Sequence, residues 1–160
     1  AEHFSTGFVK SKITTLFNSY PDNPDGAVII TGCAQNEPHE TGILLLSLFL
    51  RWRGHRVIYL GANVPNSTIP DAIRDVKPDM LCLSATLEEG ANNLVETGEL
   101  VAQADDPKPI FVFGGLIFIF EPERRETIQG NYLGDDPQTA IENIEKMLVE
   151  RRQMLQGQTR

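Results

Sequence analysis

Three observations predict an α/β fold for this chain. Strand-length apolar runs recur along it, and most are continuously apolar rather than alternating, as suits strands buried on both faces of a parallel sheet. Helix-like segments separate these runs. The result is five βα units in succession, which predicts a flavodoxin-like, doubly wound, five-stranded parallel sheet in the order 2-1-3-4-5, preceded by one helix outside the pattern.

That first helix occupies residues 1–20. Phe4, Phe8, Val9, Ile13, Leu16 and Phe17 recur at helical spacing, and residue 1 already sits inside the pattern with no start signal. Its apolar face needs partners that one helix cannot supply. We read it as the last helix of an upstream helical bundle, truncated at residue 1; the alternative is a helix that packs back on the sheet. Residues 21–25 form a linker rich in proline and aspartate.

The α/β domain spans residues 26–155. Its strands are expected at 26–32, 56–61, 80–86, 109–115 and, more briefly, 131–134. A nearly all-apolar helix at 40–53 is closed by Gly54 as its C-terminal cap. A two-turn helix lies between Pro65 and Lys77, with Pro70 near its start. Residues 88–104 are helical, and "EPERRETI" after Gly115 makes one or two turns. The last helix begins after Asp135 and Asp136, with Pro137 in its first turn and Ala140, Ile141, Ile144, Met147 and Leu148 as its apolar stripe. Residues 156–160 read as a flexible tail, Trp52 as core, and "EPERRE" at 121–126 as a solvated face.

Composition narrows the function. The chain has 160 residues, 41% of them hydrophobic, enough for a core. It has no long apolar run of membrane-spanning length and no cationic region leading into an apolar one at its start, so a cytoplasmic protein without membrane contact is expected. A formal charge of −8 suits phosphate backbones poorly, which excludes nucleic-acid binding by this chain alone. Cys33 and Cys82 fall in strand-like runs and are expected to be reduced core residues. No nucleophile or acid–base pair is placed for independent catalysis.

In a doubly wound sheet, ligands sit at the carboxyl ends of the strands where strand order reverses. Three stretches should gather there: "EPHETG" at 37–42, "SAT" at 84–86 and "GG" at 114–115. His39 offers an imidazole nitrogen to a transition metal, and Glu37 can accept its other ring N–H, fixing the tautomer. Ser84 and Thr86 offer hydroxyls. Gly114 and Gly115 let a bulky ligand lie against the backbone. One histidine with two glycines is no metal cage; it suits a single bond to a metal that arrives inside its own chelate.

In order and spacing, "EPHETG", "SAT" and "GG" resemble the signature of cobalamin-binding domains over about residues 26–150. The resemblance implies a base-off, His-on mode, with His39 as the lower axial ligand of cobalt and Glu37 orienting it. Glu40, Thr41 and Gly42 would border the nucleotide tail, Ser84 would hydrogen-bond the buried benzimidazole with Thr86 beside it, and Gly114 and Gly115 would pass the nucleotide. Where some members extend a polar relay behind the acidic residue, this chain has Gly90, so that relay is not carried over.

The wording "EPHETG", glutamate first, is most similar to the sensor domains of CarH/LitR-type, MerR-family photoreceptor regulators. "EHF" at 2–4 resembles the end of their Trp-x9-Glu-His motif, which would set Glu2 and His3 against the upper ligand. A Glu-His pair near a chain end is otherwise ordinary solvated surface. The resemblance implies adenosylcobalamin, with methylcobalamin as the other form, a homo-oligomer, and DNA binding only through an N-terminal domain absent from this sequence. A corrinoid methyl carrier of a methyltransferase system is the second reading.

Overall fold

The computed structural model describes residues 2–159, with side chains described from Ser5 onward. Five parallel strands form one sheet: β1 (Val28–Cys33), β2 (Arg56–Tyr59), β3 (Met80–Ser84), β4 (Ile110–Gly114) and β5 (Asn131–Tyr132). Their order is β2-β1-β3-β4-β5, as the alternation of elements predicts. Strand order therefore reverses between β1 and β3. The register aligns Cys33 with Ser84, and Ser84 with Gly114, so the carboxyl ends of the three central strands lie in one row.

The strands read as continuously apolar because helices cover both faces. On one face, Ile29, Cys33, Cys82 and Val112 pack with residues of α2 (Thr41–Trp52) and α6 (Pro137–Gln158). On the other, Ile30, Leu81, Leu83 and Phe113 pack with α3 (Ile69–Val76), α4 (Glu88–Ala102) and the short α5 (Ile117–Phe120). Consecutive strand residues thus feed opposite cores. Asp136 starts α6 by accepting the Thr139 N–H at 2.8 Å, with Pro137 in the first turn, and α6 runs to Gln158, past the expected boundary at 155. Gly54 ends α2 at φ +88°, a left-handed conformation that glycine adopts without strain.

The helix α1 (Glu2–Ser19) lies against α2 and buries Ile13 and Phe17 in the same core. Burying such side chains stabilises by about 1.5–3 kcal/mol each. Among its described apolar side chains, Phe8, Val9 and Leu16 remain exposed.

Two local expectations change. Trp52 is not core: it is 46% exposed at the end of α2, with the rings of Tyr20 and Phe49 against it at steep angles. Leu50 in the same turn is fully buried and Arg51 donates to Val57 of β2, so Trp52 is exposed because it lies on the outer face of a helix apolar on nearly every side, which pattern alone could not show. The 121–126 stretch is not a simply solvated face. Arg124 pairs with Glu88 and Glu121 and donates to Asn92, while Arg125 stacks on Tyr132 at 3.9 Å and pairs with Asp135.

Candidate functional site

The row of strand ends opens into a cavity of about 600 Å³ between α2 and α6. Its floor carries Cys82, Leu83 and Ser84 of β3, and its walls include Leu45 of α2, Leu133 and Ala140. The "EPHETG" segment forms its rim.

The rim is built around Glu37. This side chain is fully buried, and its carboxylate accepts four N–H groups. Oε1 takes the His39 backbone N–H at 3.1 Å and His39 Nδ1 at 2.7 Å. Oε2 takes the backbone N–H groups of Thr86 at 2.6 Å and Leu87 at 2.8 Å, immediately before α4. Burial alone would raise the pKa of Glu37; the donors from Leu87, Thr86 and His39 outweigh it and hold the carboxyl below its usual range. An ionised carboxylate only accepts, so Nδ1 of His39 is the donor. The lone pair of Nε2 is then left for a ligand. The His39 side chain is 57% exposed and borders the cavity.

Gly90 explains the missing relay. A Cβ there would stand 3.0 Å from Glu37 Oε2 and 3.2 Å from Ala85 Cβ. Glycine lets α4 approach closely, and backbone N–H groups do what a side-chain hydroxyl would do. Sequence reasoning missed these donors because backbone groups carry no residue signature.

The remaining expected residues divide. Thr41, Gly42, Ser84, Thr86, Gly114 and Gly115 all border the cavity. A Cβ at Gly42 would meet nothing within 4 Å, and one at Gly114 only Leu133 at 3.9 Å, so both glycines leave space open. Gly115 serves the backbone instead: at φ +123°, its Cβ would fall 2.0 Å from the Ala85 carbonyl. Ser84 Oγ donates to Cys33 Sγ at 3.8 Å, and that thiol donates to the His39 carbonyl at 3.5 Å. Burial pushes the Cys33 thiol up to about 11, so it stays protonated. Glu40 borders the cavity too, but its carboxylate turns away to Tyr59 and Lys10. The side chains of Glu2 and His3 lie outside the described residues. Among the described residues no cluster of three or more metal ligands occurs, and no helix is long and apolar enough to cross a membrane.

The B12 binding domain family matches residues 27–142. This chain belongs to that family. Two relatives of the B12-binding domain are the HTH-type transcriptional repressors CarA and CarH of Myxococcus xanthus. CarA is 28% identical over 115 residues, 72% of this chain and 40% of CarA. CarH is 29% identical over 103 residues, 64% of this chain and 34% of CarH. The chain thus spans well under half the length of either repressor. Among solved structures, a cobalamin-binding protein from Desulfitobacterium hafniense superposes with a TM-score of 0.70 at 18% identity, covering 77% of this chain and 60% of that one. The methanol:cobalamin methyltransferase complex MtaBC from Methanosarcina barkeri gives 0.64 at 22% identity, covering 76% and 46%. At these identities the likeness is one of fold.

The residues present fit a cobalamin. A single imidazole nitrogen is aimed outward by a buried carboxylate, which suits a metal that brings its other ligands with it. Beside it lies a mostly apolar slot kept open by Gly42 and Gly114. The first turn of α2, with no side-chain cap, borders the same slot and suits a phosphate.

Proposed function

We propose that this chain is the cobalamin-binding, light-sensing part of a transcriptional regulator. The observation that carries the reading is the Glu37–His39 pair, with Nε2 free at the mouth of an open slot. In this reading His39 would hold the cobalt, and Glu37 accepts its Nδ1–H so that Nε2 is the nitrogen turned to the metal. Ser84 turns its hydroxyl from Cys33 to the displaced benzimidazole, and Thr41, Gly42, Gly114 and Gly115 receive the tail. Bound adenosylcobalamin supplies a cobalt–carbon bond that light breaks. DNA binding and control of assembly would belong to the longer protein. The repressor names of the two relatives support a regulatory role over an enzymatic one.

The test is the visible spectrum of protein reconstituted with adenosylcobalamin in the dark, before and after green light, followed by DNA binding of the full-length form. A light-dependent spectrum and loss of DNA binding support the reading. A protein that binds cobalamin, ignores light and accepts a methyl group from a partner methyltransferase is instead a corrinoid methyl carrier.

A further inference from the structure

Glu40 stands next to His39 but serves the opposite side of the loop. One carboxylate oxygen accepts the Tyr59 hydroxyl from the end of β2, and the other pairs with Lys10 Nζ from α1. The backbone N–H of Ala62 donates to it as well. The Glu40 side chain is only 13% exposed, while that of Lys10 is half exposed, so the carboxylate end of the ion pair is shielded and the ammonium end meets water. Burial first, then Glu40 itself, pushes the Tyr59 hydroxyl far above its ordinary range, so it remains a donor.

The short segment 37–40 is therefore clamped at both ends. Glu37 fixes one end to the start of α4, and Glu40 fixes the other to α1 and β2. The imidazole of His39 stands between the two clamps. Beyond Lys10, α1 is also held through Ile13 and Phe17, one turn further on, with Arg51 of α2 donating to the Phe17 carbonyl at 2.8 Å and lying over its ring. Thr6 and Lys10 border the same cavity as His39. Displacement of the first half of α1 thus reaches the His39 backbone through one ion pair and one peptide unit.

We propose that Glu40 is a positioning residue that couples α1 to the His39 loop through Lys10 and Tyr59. A ligand on His39 steadies α1, and movement of α1 unsettles His39; by linkage the two effects are reciprocal. The coupling rests on the cobalamin reading for its ligand, but not on light or DNA. The alternative is that α1 is docked through Ile13, Phe17 and Arg51 without help from Glu40, which merely ends a loop.

Amide hydrogen exchange on the 160-residue chain separates these. The comparison is of wild type, Lys10→Met and Glu40→Gln, each free and with adenosylcobalamin in the dark. Without ligand, Lys10→Met speeds exchange of the His39 amide at least about threefold, although the substitution lies on another element. With adenosylcobalamin, α1 amides in the wild type slow about fivefold or more, and this slowing is lost in Lys10→Met and Glu40→Gln, each compared at a cobalamin concentration that saturates it. Lys10 is half exposed, so Lys10→Met keeps the fold even where Glu40→Gln weakens it. An unchanged His39 amide in free Lys10→Met overturns the coupling, as does equal ligand-dependent slowing of α1 in wild type and Lys10→Met. A wild type that takes up no cobalamin refutes the functional reading instead, and the ligand-free comparison still decides the coupling.

Discussion

Replacing Glu37 by glutamine changes one oxygen into an NH₂ group and nothing in size. Each carboxylate oxygen accepts two N–H groups, so either orientation of the amide leaves two donors facing a donor. A hydrogen bond to a charged group contributes about 1.5–3 kcal/mol, so losing two removes about 3–6 kcal/mol, divided between folding and ligand binding. If the NH₂ group faces His39, Nδ1 must accept, and the proton moves to Nε2, the atom needed for cobalt. If it faces α4, the N–H groups of Thr86 and Leu87 are buried without partners. Changing such a supporting residue weakens metal affinity about 10–100-fold. The assay is spectrophotometric titration of wild type and Glu37→Gln with cobalamin, alongside thermal unfolding. We expect weaker affinity in that range and a lower Tm. A variant with unchanged affinity, unchanged His-on spectrum and unchanged Tm refutes the assignment of Glu37 as the group that aims His39.

Three more outcomes follow from the same geometry. Gly42→Leu places its side chain in open space at the slot; folding stability is held or rises by up to about 1 kcal/mol, while cobalamin affinity, read by titration, falls at least about tenfold. Gly115→Ala must meet the Ala85 carbonyl at φ +123°, so it lowers unfolding stability by more than about 1 kcal/mol in a denaturant titration. The depressed pKa of Glu37 gives stability that is present above its ordinary value of 4.5 and lost as pH falls through its lower folded value; the acid limb of a pH–stability curve is therefore less steep in Glu37→Gln than in wild type.

The sheet order was legible because five strand-length runs, most of them continuously apolar, alternated with helical periods, a pattern that suits parallel strands covered on both faces. The start of α6 was legible in Asp136 and Pro137, whose capping chemistry is local. Thr41, Gly42, Ser84, Thr86, Gly114 and Gly115 gather at one cavity because strand-end positions follow from topology once order is known. What the sequence hid was mostly non-local or carried by backbone. The donors to Glu37 are main-chain N–H groups, and the role of Gly90 is an approach distance. Lys10 reaches Glu40 only because α1 folds onto α2 in a particular register. Trp52 misled because a helix that is apolar nearly all round does not say which of its faces meets the sheet.

The central claim is that His39 binds cobalt in place of the cofactor's own base. Electron paramagnetic resonance of bound cob(II)alamin tests it directly when the protein alone carries 15N-labelled histidine. A protein ligand with spin one-half splits each cobalt line into a doublet, whereas the unlabelled benzimidazole nitrogen, with spin one, gives a triplet. We expect doublets in the wild type and their disappearance in His39→Ala. Triplets in the labelled wild type would show that the benzimidazole never left cobalt, contradicting the axial role of His39.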